Sequence, residues 1–228
     1  MTILKTVAQW LFILCLPILL LTASVSTAAN CPRLYQYGFE KYEVNRVTGL
    51  ASTELVKAAR GLVAYFNSGD EYIDLTVAKD GQPFTLFNEQ EVAHLKDVKG
   101  LFRLVYKIFV GSGVYVLVFV GVSLFWWRGR RRLGQGLFFG GCLTLASMLA
   151  LGLVIALDFD GFFLKFHLLS FANDFWMLDP ATDYLIMMFP QGFWFDAALA
   201  CAIATAAGAA ILGGVGWWLM RKRESHLT

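Results

Sequence analysis

Four long apolar runs constrain the fold of this chain more than any other feature of its sequence. They cover Val7–Ala29, Leu104–Trp127, Leu133–Leu157 and Ala197–Met220. A helix needs roughly 20 apolar residues to cross a hydrocarbon core, and lipid offers the backbone no hydrogen-bonding partner. Charged residues make up 16% of the chain, whereas soluble domains carry about 25%. The sequence therefore predicts a membrane α-helical protein with four transmembrane helices and excludes an ordinary soluble domain.

The positive charges predict how these helices cross the membrane. Lys and Arg are enriched in short cytoplasmic segments, and eight of them flank the runs on one side: Lys5, Arg128, Arg130, Arg131, Arg132, Arg221, Lys222 and Arg223. We therefore expect cytoplasmic N and C termini, with a cytoplasmic Arg turn at 128–132 and a cytoplasmic tail at 221–228. The first run resembles a signal peptide, but it is long for one, and we expect residues 1–29 to be retained as a signal-anchor helix.

The segment 30–103 has mixed patterning and balanced charge, which favours a small extracytoplasmic α+β domain. We predict an extended stretch over Leu34–Val44 and an amphipathic helix capped by Ser52. A hairpin turning at Asp80-Gly81 follows. Asn88 and Glu91 then form a capping-box pattern that opens a helix continuing into the second transmembrane run.

The segment 158–196 combines many aromatic residues with six aspartates and one lysine. This composition fits a segment lying at the membrane surface, between the third span (133–157) and the fourth (197–220). Helical spacing predicts a helix over Phe162–Phe175, and a second short helix is predicted over Tyr184–Phe189. Three aromatic residues before the fourth span are typical of an interfacial belt: Phe193, Trp194 and Phe195.

Two histidines occupy equivalent places next to the membrane. His94 precedes the second span and His167 follows the third, and the tight Arg turn makes those spans antiparallel neighbours. The two side chains can therefore meet on the extracytoplasmic face. Histidine exchanges protons near neutral pH, so the pair suits general acid–base catalysis. Supporting carboxyl and amide groups are near each histidine in sequence: Glu91 and Asp97 for His94, and Asn173 and Asp174 for His167.

Other interpretations of these residues stay open at this point. His167, Ser170 and Asp174 at i, i+3 and i+7 could mimic a nucleophilic triad in a lipid hydrolase or another acyltransferase. The two histidines with nearby aspartates could hold a metal, although their spacing matches no zinc signature. A Cys31–Cys201 disulfide is conceivable, and His226 is expected to be inert. A non-enzymatic transport or assembly protein is disfavoured because the spans are almost free of ionisable residues.

Several strings in the sequence resemble the bacterial lipoprotein intramolecular transacylase family. They are Phe87–Lys99 (FNEQEVAHLKDVK), Phe163–His167 (FLKFH), Asn173, Trp176–Pro180 (WMLDP) and Phe189-Pro190. The resemblance implies an acyltransferase of the bacterial cell membrane whose catalytic residues are His94 and His167. It implies a diacylglyceryl lipoprotein as substrate and membrane lipids as partners, with no cofactor, no metal and no nucleic acid.

The chemistry that this resemblance implies moves the sn-2 acyl chain from glycerol to the free α-amino group of the lipoprotein's first cysteine, giving the lyso form. An α-ammonium with a pKa near 8 must lose a proton before it attacks an ester. The tetrahedral oxyanion then needs a hydrogen-bond donor, and the departing glycerol oxygen needs a proton. We hypothesise that His167 is the base and that His94 polarises the ester and donates the proton.

Overall fold

The structure, a computed structural model, describes residues 2–221. The predicted cytoplasmic tail after Arg221, including His226, lies outside the described residues. The chain divides into two compact units. The first comprises residues 2–26, 105–157 and 199–221, and the second comprises residues 27–104 and 158–198.

The first unit is built from long apolar helices. These are α1 (Thr2–Ala29), the later part of α5 (Glu89–Gly121), α6 (Arg130–Leu157) and the later part of α9 (Gln191–Arg221). A π-helical turn, Val122–Trp126, extends α5 before the chain reverses into α6. All four helices are long and apolar enough to cross a membrane, which confirms the four predicted transmembrane helices. The reversal is tight, and Arg128 adopts a left-handed conformation there with φ +47°.

Glycines let the helices of this unit approach one another closely. A Cβ added to Gly134 on α6 would lie 2.8 Å from the carbonyl oxygen of Gly216 on α9, and one added to Gly216 would lie 2.6 Å from that of Gly134. Helices in lipid associate by such close packing because the solvent around them is equally apolar. On the other side of α6, Phe12 stacks on Phe119 at a ring-centroid distance of 4.4 Å and packs against Leu133.

The second unit contains four short helices before and after a hairpin: α2 (Pro32–Lys41), α3 (Val44–Thr48), α4 (Ser52–Asn67) and α8 (Tyr184–Met188). The hairpin pairs β1 (Thr76–Lys79) with β2 (Gln82–Thr85), so that Thr76 faces Thr85. The predicted turn at Asp80-Gly81 is confirmed, and both residues have positive φ. The unit also includes α7 (Phe159–Ser170) and the first turns of α5 and α9.

Two local predictions in this unit are wrong. Most of the stretch Leu34–Val44 is helical rather than extended, since α2 continues to Lys41 and its Tyr35 and Phe39, four residues apart, are both buried. A four-residue repeat of aromatic residues places both on one helix face. Ser52 is the first helical residue of α4 rather than its cap, and the capping position is occupied by Ala51 without a side-chain hydrogen bond.

The core of the second unit joins residues from both of its chain segments. Tyr35 packs edge-on against Phe189 with ring centroids 5.7 Å apart, and Phe193 is 2% exposed. Phe193 was expected to belong to an interfacial belt, but it lies in this core, facing Gly38 of α2. The helix α9, which includes the fourth apolar run, begins at Gln191, before that run.

The helix α7 ends earlier than its apolar pattern predicts. Asp158 caps its start by accepting a hydrogen bond from the Gly161 N–H at 2.8 Å, and the helix ends at Ser170 instead of Phe175. Phe171 is extended, with φ −125° and ψ 131°. The residues after Ser170 therefore leave the helix axis, and they are no longer one or two helical turns beyond His167 on the same face.

Candidate active site

The first turn of α5 is anchored by Glu91. Its Oε2 accepts a hydrogen bond from the Asn88 N–H at 2.7 Å, while the Glu91 N–H donates to Asn88 Oδ1 at 3.0 Å. This confirms the predicted capping box. The other carboxylate oxygen accepts from the Leu185 N–H of α8 at 2.6 Å. Burial raises the pKa of Glu91, and the two backbone N–H groups oppose that shift.

Glu91 thus has a different use from the one expected for it. We expected it to orient His94, three residues further along the helix, but its two oxygens accept from the backbone of Asn88 and Leu185. At 1% exposure it joins the start of α5 to α8. Glu91 therefore influences His94 only by fixing the position of α5.

His94 is buried on α5, in a part of the helix that precedes the apolar run. It is 7% exposed, and its Nδ1 has no hydrogen-bond partner among residues 2–221. Burial lowers the pKa of His94 to about 4; His167 contributes in the same direction, and Asp97 opposes it. The ring is therefore uncharged at neutral pH.

His167 lies in the last turn of α7 and faces His94, with ring centroids 6.3 Å apart. Its Nδ1 lies 2.8 Å from the carbonyl oxygen of Phe163. A carbonyl oxygen can only accept, so Nδ1 carries the proton and the lone pair of the neutral ring is on Nε2. Burial lowers the pKa of His167, and the hydrogen bond to Phe163 partly offsets this.

Aromatic rings surround the two histidines. Phe171 packs edge-on against His94 with centroids 5.0 Å apart. His167 contacts Phe163 at 4.3 Å and Trp176 at 5.0 Å. Aromatic surroundings lower the local dielectric and strengthen electrostatic interactions within the site. The site therefore places two neutral imidazoles in apolar surroundings.

A turn at residues 173–177 is tied to α5 on both sides of His94. Asn173 Nδ2 donates to Asp97 Oδ2 at 2.8 Å. Gln90 Nε2 donates to the Met177 carbonyl at 3.0 Å and, less closely, to the Phe175 carbonyl at 3.4 Å. Positions 90, 94 and 97 share one face of an α-helix. One helix face therefore carries His94 and the two groups that hold the turn.

The expected supporting residues thus divide into two groups. Asp97 and Asn173 meet in one hydrogen bond across the site. Asp174 is exposed, and the group next to His167 Nδ1 is the Phe163 carbonyl rather than Asp174 or Asn173. Sequence reasoning missed the role of Gln90, although its position one helical turn before His94 was a usable signal.

The geometry does not support the alternatives to a two-histidine site. The triad of His167, Ser170 and Asp174 requires one helix through all three, but α7 ends at Ser170. Within residues 2–221 no three His, Cys, Asp or Glu side chains are grouped to hold a metal ion. Cys31 and Cys201 are both free, so the disulfide considered above is absent.

Comparison with known proteins gives a family match. The model of the family described as lipoprotein intramolecular transacylase Lit matches residues 10–194. An uncharacterized protein of Aquifex aeolicus (strain VF5) is 28% identical over 173 residues, which is 74% of each chain.

Solved structures with the same fold come from Bacillus cereus. The structure of its membrane-integral lipoprotein intramolecular transacylase Lit covers 99% of this chain and 100% of its own, with a TM-score of 0.83 and 19% identity. Two variants of that protein, in which one histidine is replaced by arginine or by alanine, each match with a TM-score of 0.77 and 18% identity. They cover 98% and 97% of this chain and 95% and 96% of their own. At this level of identity the likeness establishes the membrane-integral fold.

Proposed function

Because the chain belongs to the lipoprotein intramolecular transacylase family, an acyltransferase family, we propose that it transfers the sn-2 acyl chain of a diacylglyceryl lipoprotein to the free α-amino group of the same molecule. The observation that carries this proposal is a pair of neutral histidines, the buried His94 and the half-buried His167, whose ring centroids lie 6.3 Å apart. They come from two different elements, α5 and α7, and aromatic rings surround them.

His167 is the base in this proposal. The Phe163 carbonyl holds the proton on Nδ1, so Nε2 is the atom that can accept a proton from the α-ammonium. The nitrogen lone pair then attacks the carbonyl carbon of the sn-2 ester, and a C–N bond forms. Burial keeps His167 uncharged in the resting site, because its lowered pKa disfavours the imidazolium.

His94 is the electrophilic partner. With a pKa lowered to about 4 it is a neutral imidazole, and a neutral imidazole has one N–H that can donate to the ester oxygen as negative charge develops there. Collapse of the tetrahedral intermediate breaks the bond between the carbonyl carbon and the glycerol oxygen. The attacking nitrogen loses a second proton as it becomes an amide, and the glycerol oxygen takes up one proton. The proton that His167 accepted from the α-ammonium leaves to solvent, so the products are an amide, an sn-2 hydroxyl and one released proton.

No enzyme nucleophile is needed for this reaction. The amine and the ester belong to one substrate molecule, so holding it folded in the site makes their reaction intramolecular. This agrees with the site's lack of a triad around Ser170, whose helix ends before Asp174. Asp97, Asn173 and Glu91 serve as positioning residues: the Asn173–Asp97 bond ties the turn after α7 to α5, and Glu91 anchors α5 to α8.

The proposal includes a topology. The chain is a membrane-integral protein with four apolar helices, and we propose that both termini and the Arg turn at 128–132 face the cytoplasm of a bacterial cell. The second unit, with both histidines, then faces the extracytoplasmic side, with segment 158–196 at the membrane surface. Labelling single cysteines placed at exposed positions 89 and 130 with a membrane-impermeant reagent tests this, because only position 89 should react in intact cells.

The activity is tested in a bacterium that otherwise makes only diacylglyceryl lipoproteins. Mass spectrometry of the N-terminal lipopeptide should show an N-acyl, S-monoacylglyceryl cysteine when the protein is expressed. His94→Ala and His167→Ala should each abolish this product, and His226→Ala is the matched control that should retain it. The proposal fails if the sn-2 chain stays on glycerol, or if both histidine variants remain fully active. Activity lost on Ser170→Ala or on chelation would favour a hydrolase-like or metal mechanism instead.

A further inference from the structure

One buried polar group in the site has no use in the mechanism above. The indole Nε1 of Trp176 is shielded from solvent and has no hydrogen-bond partner within residues 2–221. An indole nitrogen can only donate a hydrogen bond, and buried donors without an acceptor are uncommon in folded proteins. What Trp176 lacks is therefore an acceptor atom.

The surroundings hold this tryptophan in place. The carbonyls of both neighbouring residues, Phe175 and Met177, accept from Gln90 Nε2 of α5. Asn173, three residues before Trp176, is bonded to Asp97 of the same helix and accepts the Phe175 N–H at 3.1 Å. The backbone on each side of Trp176 is thus bonded to the helix that carries His94.

The position of Trp176 is next to the base. Its indole lies against the His167 ring, with centroids 5.0 Å apart, and His167 in turn faces His94. Apart from His94, the other rings around His167 are those of phenylalanines, which offer no acceptor. Because no residue within 2–221 supplies the acceptor, a bound substrate can supply it.

We propose that the Trp176 N–H donates a hydrogen bond to the acyl carbonyl oxygen of the substrate ester, alongside His94, and that this bond strengthens as the oxygen becomes negative. This inference rests on the proposed function and adds a third catalytic residue to it. A donor fixed before the reaction stabilises the developing charge without reorganisation. An ester carbonyl is the acceptor that a diacylglyceryl substrate brings to a site lined by hydrocarbon.

The test removes the N–H while keeping the ring. Incorporation of 3-benzothienylalanine at position 176 replaces N–H by sulfur in a bicycle of similar shape, and Trp176→Phe is the simpler variant. Single-turnover rates are measured with purified protein and a synthetic diacylglyceryl-cysteine lipopeptide. Loss of one oxyanion donor should lower the rate at saturating substrate by about 100- to 1,000-fold, with substrate affinity changed by less than about threefold. Trp194→Phe in the same unit is the matched control and should keep its rate.

A second measurement does not depend on turnover. With ¹⁵N-labelled tryptophan, the indole signal that disappears in Trp176→Phe should shift downfield when the N-acylated lipopeptide product binds. A benzothienylalanine variant that retains more than about a third of the wild-type rate would overturn the role of Trp176, and so would an indole signal that product leaves unmoved. If His94→Ala and His167→Ala are inactive while this variant is active, the two-histidine proposal stands and the Trp176 proposal fails alone.

Discussion

Replacing Glu91 by alanine should destabilise the second unit strongly, although Glu91 is a charged residue. Its carboxylate accepts hydrogen bonds from Asn88 N–H at 2.7 Å and from Leu185 N–H at 2.6 Å, and the side chain is 1% exposed. Glu91→Ala leaves both donors without this acceptor. Each buried donor that loses its partner costs about 1–3 kcal/mol.

The size of the effect follows from how deeply each donor lies. Leu185 is buried, whereas Asn88 is exposed and its N–H can find water. We therefore take the middle of the range for Leu185 and the lower end for Asn88, which together give about 3 kcal/mol. In a chain of this length one kcal/mol corresponds to about 2–4 °C in melting temperature, so the expected decrease is about 6–12 °C.

The assay is thermal unfolding in detergent, followed by intrinsic tryptophan fluorescence. Glu89→Ala is the matched control, since Glu89 is an exposed acidic residue in the same first turn of α5. It contributes through the helix dipole alone, about 0.3–1 kcal/mol. Equal melting temperatures for the two variants would refute the reasoning that Glu91 joins α5 to α8.

Two further predictions concern the site. The acid limb of the kcat–pH profile should lie below pH 6.5, because burial lowers the pKa of both histidines, that of His94 to about 4. The neutral, active forms of the histidines persist above pH 6.5 and are lost as the pH falls through the lowered pKa values. An acid limb near pH 8 would instead show that the substrate amine must lose its proton to solvent and not to His167. Asn173→Ala removes the 2.8 Å hydrogen bond to Asp97, a charge-assisted bond worth about 1.5–3 kcal/mol. Because the turn at 173–177 is then held less firmly, we expect kcat to fall about tenfold in the lipopeptide assay. Asp174→Ala, at the exposed neighbouring residue, is the control and should leave kcat unchanged.

The features that could be predicted from sequence are those with a local physical signal. The capping box of Asn88 and Glu91 opens α5 as expected, because both residues needed for it lie within one turn. The hairpin turn at Asp80-Gly81 could be predicted in the same way, because both residue types tolerate positive φ. Local signals misled where tertiary packing overrode them. The aromatic residues of α2 looked like an extended lining, but they form one buried helix face.

The choice of His94 and His167 was also accessible to sequence reasoning, since both flank apolar runs joined by a short turn. The contacts that hold these two histidines were harder to predict from sequence. Glu91 was expected beside His94 and bonds Leu185, 94 residues away in sequence. Asp174 was expected beside His167, but the helix ends first and the Phe163 carbonyl takes that place.

By itself, the sequence determined that this protein is a helical membrane protein, because runs of about 20 apolar residues have one stable solution in lipid. It also determined the pair of histidines next to two of those runs. Only the tertiary structure decided that the rings face each other 6.3 Å apart, that Gln90 and Asp97 hold the turn bearing Trp176, and that Phe193 lies in a core. Hydrogen bonds of this kind join residues 76 to 94 positions apart. Such contacts produce no periodic pattern in the sequence, because they depend on which surfaces meet after the helices have formed.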